Sequence, residues 1–367
     1  MKILKLISTT ILIYLLSINN CIAQDSTKAN PITISVYIEG YYSYDLGNPL
    51  NHERPPFIYN YNRHNEVNLN LGFIKANYLT DKVRGNIALL AGTYAQYNLS
   101  GEQALLKNIF EANIGVKVSK SKNLWVDAGI MPSHIGFESA IGKDCWNLTR
   151  SILAENSPYY EAGVKLGYTS KNEKLYLAAM YLNGWQRIQR VQGNQTPASG
   201  TQVSYKPNSN TTLNWSTYIG NEQPDTVGTL WRFFNNFFVQ KQLSDKLGVT
   251  AGFDIGMQQK RDTSNLINGK STWYSPVVIF QYKCSNKMRV AARWEYYSDK
   301  NGVIIATGTP NGFQTMGYSV NLDYLPTDNM MFRIEGRGLS SKDKIFMLNG
   351  KPDIANYFIT TSMSISF

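Results

Sequence analysis

Leu247-Gly248-Val249-Thr250-Ala251-Gly252-Phe253-Asp254-Ile255-Gly256 reads with a period of two. Its odd positions are Leu, Val, Ala, Phe and Ile; its even positions are Gly, Thr, Gly, Asp and Gly. Side chains alternate faces along a β-strand, so one face of this segment is apolar and the other is polar or bare. The pattern recurs to both ends of the chain. Ile32, Ile34, Val36 and Ile38 alternate with mostly polar residues, and Val67, Leu69, Leu71 and Phe73 with Asn68, Asn70 and Gly72. Phe110 to Val118 and Met288 to Tyr296 follow the same rule, and Tyr357 to Phe367 interleaves Ser362, Ser364 and Ser366. No amphipathic helix of similar regularity competes; Leu105–Phe110 offers one helical turn that runs into a strand.

The breaks between these segments alternate in length. Short ones fall at Thr80-Asp81-Lys82, Ser119–Lys122, Ser170–Glu173, Pro207–Asn210, Ser244–Lys246, Ser285–Lys287 and Thr327–Asn329. Longer ones fall at 46–64, after a third strand over 83–97, and at 132–157, 184–200, 220–228, 258–271, 299–312 and 339–353. The expectation is an all-β transmembrane antiparallel barrel of about 16 strands (range about 14–18), with short periplasmic turns and long extracellular loops. A soluble sandwich or propeller needs neither long loops confined to one end nor strands of about ten residues.

Composition agrees. Charged residues make up 17% of the 367, aromatics 13%, and mean hydropathy is −0.29. A polytopic helical membrane protein needs several apolar runs of about 20 residues, and a disordered chain carries more charge and fewer aromatics. Tyr41, Tyr42, Tyr44, Trp125, Tyr181, Trp185, Trp294, Tyr296 and Tyr297 cluster near strand ends, as interfacial girdles would.

Lys2 and Lys5, the apolar stretch Ile7–Ile18 and the small Ala23 form a secretory leader over 1–23, leaving 24–367 as the barrel. Cys21 raises a lipoprotein reading, but Ile18-Asn19-Asn20 makes a poor lipobox. Removing the leader, which carries two Lys and no acid, takes the formal charge from +10 to +8. Cys145 and Cys284 remain, and the topology assigns them to opposite ends as free thiols.

Strand charges should face a wet lumen, because Arg or Lys facing lipid at mid-bilayer costs about 2–4 kcal/mol. Arg84, Glu111, Asp127, Glu161, Arg232, Arg289, Arg293, Arg333, Glu335 and Arg337 are the pore-lining candidates. Acidic early strands opposite basic late strands would set a transverse field across the pore, and the group Arg289, Arg293, Arg333 and Arg337 would favour anions. Alternatively, Arg333, Glu335 and Arg337 pair with Arg293 and Glu295 as packing salt bridges. The link 132–157 is long enough to enter the lumen and narrow it, with Glu138, Asp144, Arg150 and Glu155 at the constriction. The same length also allows a surface loop with its own apolar cluster of Ile135, Phe137, Ile141, Trp146 and Leu148.

Catalytic and metal signatures are missing. His52, His64 and His134 are the only histidines, and no HExxH or CxxC spacing or Gly-rich phosphate loop occurs. Ser133 and His134 are adjacent, a poor geometry for nucleophile and base. Neither enzyme, cofactor, metal nor nucleic acid is expected. The basic balance fits anionic solutes or lipopolysaccharide phosphates.

Gly136-Phe137-Glu138-Ser139, Asn147-Leu148-Thr149-Arg150-Ser151 and Ser157-Pro158-Tyr159-Tyr160-Glu161-Ala162-Gly163 occur in that order. Together with Val83-Arg84-Gly85, Gly92-Thr93-Tyr94 and Asn183-Gly184-Trp185-Gln186, they resemble the OmpL-like beta-barrel porin family of Gram-negative outer membranes. The resemblance spans most of the mature chain and implies an outer-membrane pore with no catalytic residue. A last strand ending in Phe367 resembles the signal read by the barrel assembly machinery. The expected function is passive diffusion of small hydrophilic solutes through a porin set in outer-membrane lipid and lipopolysaccharide. The alternative is a barrel with a binding or adhesin role through its outer loops and little conductance. A homotrimer is expected only by analogy with general porins.

Overall fold

The computed structural model describes residues 30–262, 264, 266–348 and 350–367; the leader reading over 1–23 lies outside them. The early strands are β1 (Ile32–Asp45), β2 (Val67–Leu79), β3 (Val83–Ala91), β4 (Ile109–Lys117), β5 (Asn123–Pro132) and β6 (Tyr160–Thr169). β7 (Leu175–Leu182), β8 (Ala198–Asn208), β9 (Thr211–Asn221), β10 (Trp231–Gln242), β11 (Leu247–Arg261) and β12 (Ile267–Lys283) follow. The series ends with β13 (Met288–Asp299), β14 (Phe313–Thr327), β15 (Met330–Ser341), β16 (Phe346–Leu348), β17 (Lys351–Asp353) and β18 (Ala355–Ser366). β16 and β17 form a hairpin in the last outer loop; the other sixteen strands close an antiparallel barrel in sequence order. β18 seals it against β1, where Val36 and Phe367 exchange backbone N–H···O bonds of 2.6 and 3.1 Å. Closure is what hydrocarbon demands, since an open sheet edge in lipid would leave backbone groups unbonded.

The alternation sorts inside from outside as the sequence implies. On β14, Met316, Tyr318, Val320 and Leu322 face outward, while Thr315, Ser319, Asn321 and Asp323 are buried inward. The exceptions are informative. Tyr42, Tyr44, Tyr181, Trp294 and Tyr296 lie on the outer face, but Tyr41, Trp125 and Tyr297 point inward and are buried. Trp185 lies in an outer loop against Tyr218 and Phe234. Interior packing claims these four rings, so they do not belong to the girdle.

Two boundaries also move. β3 stops at Ala91, and Thr93–Asn98 forms a short helix, α1, because Gly92 turns the chain at φ 124°, where a Cβ would meet the Asn70 carbonyl oxygen at 2.4 Å. The polar stretch expected as loop 258–271 is mostly sheet: β11 and β12 stay paired through Gln258–Ser271 and Gln259–Lys270. That outer connection is therefore short, and long and short links do not alternate strictly.

The lumen is not empty. Outer loop 1 (residues 46–66) folds inward and buries Phe57, Ile58 and Tyr61. Loop 3 (residues 133–159) does the same and carries a second short helix, α2 (Ile152–Glu155), capped by the Ser151 hydroxyl, which accepts from the Ala154 N–H. Cys145 is carried down into the lumen with loop 3 rather than staying at the outer rim, and Cys284 is exposed in an inner turn; both thiols are free.

Val320, exposed on the outer face between buried Ser319 and Asn321, tests the lipid contact. Val320→Arg is expected to lower the unfolding free energy in lipid vesicles by about 2–4 kcal/mol. A loss within about 0.5 kcal/mol, typical of an exposed aqueous surface, would contradict a lipid-facing β14.

Candidate functional site

Loop 3 leaves β5 at Pro132 and crosses the barrel. His134 comes first. Its Nδ1 lies 2.7 Å from Glu161 Oε2 and its Nε2 2.8 Å from the Thr217 carbonyl oxygen of β9, while its own carbonyl accepts from Ser216 Oγ at 2.6 Å. The Gly136 N–H then donates to Asn236 Oδ1 of β10 at 3.2 Å. Next come the bare positions of β11. A Cβ at Gly252 would lie 2.5 Å from the Phe137 ring, and one at Gly248 would lie 2.7 Å from the Trp146 ring. The glycine-bearing face of the strand is thus where loop 3 lays its aromatic side chains.

On the far side the loop meets β13, β14 and β15. Arg333 Nη1 donates to the Gly142 carbonyl at 2.7 Å, Asn147 Nδ2 to Ser319 Oγ at 3.1 Å, and the Leu148 N–H to Asn321 Oδ1 at 3.2 Å. Four wall charges then form one knot. Arg293 lies 3.0 Å from Glu335 and 3.3 Å from Glu295, and Arg337 lies 2.5 Å from Glu295. Glu138 of loop 3 joins at 3.8 Å from Arg293. Loop 3 supplies the remaining partners. The Thr149 N–H donates to Glu335 at 2.6 Å and the Ile152 N–H to Glu295 at 2.6 Å. The carbonyls of Thr149 and Arg150 accept from Arg293 and Arg337 at 2.6 and 2.8 Å. Arg150, fully buried, ties the loop to itself through the Ser139 and Ala140 carbonyls at 2.6 and 3.0 Å. Ser151 donates its N–H and its hydroxyl to Glu138.

Loop 1 rests on this platform. Glu155 accepts from the N–H groups of Tyr59 and Asn60 at 3.0 and 3.2 Å and from Asn60 Nδ2 at 3.1 Å. Burial pushes the Glu155 carboxyl up to about 7 against those donors, which act to lower it. Tyr61 of loop 1 donates to Glu39 at 3.0 Å beneath it.

The sequence candidates thus separate into groups. Glu138, Arg150, Arg293, Glu335 and Arg337 meet in the knot. Arg333 sits beside it, bonded to Asp323 at 2.7 Å. Arg84 pairs with Asp127 at 2.6 Å and lies over the Trp125 ring at 4.4 Å. Glu111 pairs with Lys75 at 2.8 Å, and Glu161 with His134. Arg232 donates to Gln258 at 2.7 and 3.0 Å, between the Trp185 and Trp273 rings. Arg289 stands apart near the inner rim, half-buried and in register with Asp323 and Lys283. Of the two readings of these charges, the arrangement is that of mutually neutralised pairs, not of opposed unpaired rows. Asp144, exposed in loop 3, has no role in the knot. Lys75 and the glycine positions were not singled out from sequence, because neither a lysine at mid-strand nor a bare strand face announces its partner.

The returning limb of loop 3, Ser157–Tyr159, together with Tyr160 at the start of β6, lies between two cavities. The outer one, about 290 Å³, opens between loops 1, 3 and their neighbours. The inner one, about 240 Å³, lies between loop 3 and the wall at Phe110 and Glu111. Tyr160 lines both. Among the described residues, no group of three or more His, Cys, Asp or Glu side chains is placed to hold a metal ion.

A closed sixteen-stranded barrel with short turns at one end and an inward-folded third loop is the architecture of an outer-membrane porin. The chain belongs to the beta-barrel porin-2, OmpL-like family, whose model matches residues 31–367. Solved structures share the fold at low identity. The outer membrane channel DcaP of Acinetobacter baumannii gives a TM-score of 0.59 at 12% identity, over 92% of this chain and 97% of that one. An anion-selective porin from Comamonas acidovorans gives 0.59 at 7%, over 92% and 99%. The trimer form of OmpT from Vibrio cholerae gives 0.57 at 10%, over 93% and 100%. Comparison with curated proteins found no match. The family implies an outer-membrane location, and it suggests a channel rather than an enzyme.

Arg293→Leu leaves Glu138 and Glu335 without their closest cation. Breaking a buried pair by removing one partner costs about 3–5 kcal/mol. The expected result is a loss of that size in chemical unfolding, with new protease cleavage within loop 3 of the folded barrel. A loss below about 1 kcal/mol, the range of surface pairs, would contradict the knot's role.

Proposed function

We propose that the protein is a porin through which small hydrophilic solutes diffuse passively, with residues 132–157 forming its constriction. One observation carries the reading: loop 3 is bonded to both walls of the lumen, with a cavity on either side of its return limb and Tyr160 facing both. A modest anion preference follows from the cations that remain unneutralised rather than from the knot. Lys117, Lys165 and Arg289 are half-exposed on lumen-facing strand positions, and Lys206 and Lys283 are exposed near the inner rim. Charge lining a pore biases which ions enter.

Assembly as a homotrimer is part of the proposal. The outward face of β3 and β4 carries Gly85, Ile87, Leu89, Ala112, Ile114 and Val116, a small and aliphatic surface without aromatic rings. A structural neighbour is described in a trimer form. Lipid and lipopolysaccharide would contact the aromatic-rich remainder. The terminal Phe367, bonded to Val36, supports the reading of this last strand by the barrel assembly machinery. A second reading, a barrel that binds through its outer loops and conducts little, draws on the buried apolar cluster of Phe57, Phe234, Trp273, Phe313 and Phe358 toward the outer end of the barrel.

Planar-bilayer recording separates the two. Discrete ion-conducting steps are expected, with a reversal potential in a salt gradient that favours chloride. Lys165→Glu with Arg289→Glu is expected to shift that potential toward cations. Purified folded protein that gives no steps would defeat the porin reading, and cation selectivity of the unaltered protein would remove the anion preference.

A further inference from the structure

We propose that the outer cavity binds a small hydroxylated carboxylate, of the kind a sugar acid presents, between Arg187 and Arg232. The inference deepens the porin reading by naming a solute class for the outer mouth of its pore, and it rests on that reading for its setting.

Arg232 on β10 carries the argument. It is 7% exposed and lines the cavity. Buried charges need partners, and other buried arginines of the wall have them. Arg293, Arg333 and Arg337 each lie within 3.0 Å of a carboxylate. Arg232 has only a neutral acceptor. Its Nε and Nη2 both donate to Gln258 Oε1, at 3.0 and 2.7 Å, and the guanidinium lies 5.3 Å from the centre of the Trp185 ring. Its Nη1 makes no hydrogen bond within the protein and is not sealed from solvent. Arg187, half-buried in the loop after β7, lines the same cavity. Its Nη1 donates to the Gly101 carbonyl at a long 3.4 Å, while its Nε and Nη2 make no bond within the protein. Among the described residues, neither guanidinium has a carboxylate within 4.0 Å.

The acids nearby are already engaged. Glu222 and Asp299 act on Arg232 from beyond that distance. Glu222 accepts from the Trp185 N–H at 3.1 Å and from the Tyr218 hydroxyl. Asp299 accepts from the N–H groups of Val303, Ile304 and Ile305 at 2.9, 2.7 and 2.9 Å. Glu155 is the carboxylate in the lining itself, and loop 1 donors hold it. With its carboxyl pushed up to about 7 by burial, it carries only part of a charge at neutral pH. Two full cations thus face the cavity against one partial anion, and a cleft with such a balance concentrates solutes of the opposite sign. A carboxylate suits guanidinium N–H donors in both charge and geometry. The Ser100 and Ser157 hydroxyls in the same lining also make no bond within the protein, and each can give to or accept from a ligand hydroxyl. The volume, about 290 Å³, is at the low end for ligand pockets, which run from roughly 300 to 1,000 Å³. It suits a molecule the size of one sugar unit.

The test is isothermal titration of the folded barrel at low salt, in a zwitterionic detergent free of sugar headgroups, with D-gluconate, D-glucose and acetate. Saturable binding of D-gluconate is expected, at least about tenfold tighter than D-glucose or acetate. Arg232→Gln is expected to weaken gluconate about tenfold or more, as losing a charged hydrogen-bond donor does. Arg187→Gln keeps the test open should Arg232→Gln not fold, since Arg187 gives the protein only one long bond. It is expected to weaken gluconate at least severalfold with an unchanged thermal unfolding midpoint. Absence of saturable gluconate binding, glucose or acetate binding as tight as gluconate, or unchanged gluconate affinity in Arg187→Gln would each overturn the proposal. Bilayer recording on the same preparation keeps the readings apart. A conducting barrel that binds no gluconate removes this site alone, and a gluconate-binding barrel that never conducts removes the porin reading alone.

Discussion

Arg293 and Arg337 held between Glu295 and Glu335 are the interaction on which the interior depends. Each is almost wholly shut off from solvent, and isolated charges in such a place would be prohibitive. They persist because every one has an opposite partner within 3.0 Å and because loop 3 brings N–H groups to the carboxylates and carbonyls to the guanidiniums. The bonding is reciprocal. The wall cannot bury these charges without the loop, and the loop has no comparable set of partners elsewhere. Loop 3 therefore behaves as a structural crossbeam, and its contacts with loop 1 through Glu155 extend that rigidity outward.

The barrel prepares this arrangement with what it omits as much as with what it places. On β11 the lumen-facing positions Gly248 and Gly252 carry no side chain, so Trp146 and Phe137 can lie close to the wall. Gly142 plays a similar part at the opposite wall, where a Cβ would come within 2.4 Å of Glu39.

Much of the architecture was legible in the sequence because lipid enforces a period of two. The apolar half of Leu247–Ile255 leaves few options for that face, and the lengths of the links orient the barrel. What escaped were features set by contacts between distant segments. Nothing local distinguishes Trp125, which lies beneath Arg84, from a girdle tryptophan. Gln258–Arg261 look like loop because they are polar, yet above the bilayer a hairpin needs only backbone pairing. The charged candidates were found by position, but their partners were not. Glu335 meets Thr149 across 186 residues of chain, a separation that no local pattern encodes. The inward turn of loop 1 left a trace in Phe57-Ile58, an apolar pair in an otherwise polar link, and that trace has meaning only once the loop 3 platform is known.

In the porin proposed above, a crossbeam that is fixed to both walls makes pore size a property of loop 3 rather than of strand number. The Glu138 carboxylate accepts from the Ser151 N–H at 3.0 Å, so residues 138–150 form a segment whose two ends lie near one another and can be excised as a unit. Single-channel conductance of that deletion against the intact protein is the most direct measurement. A severalfold rise in conductance is the expected result, with the barrel still folded. A folded deletion variant with unchanged conductance would contradict the role given to loop 3.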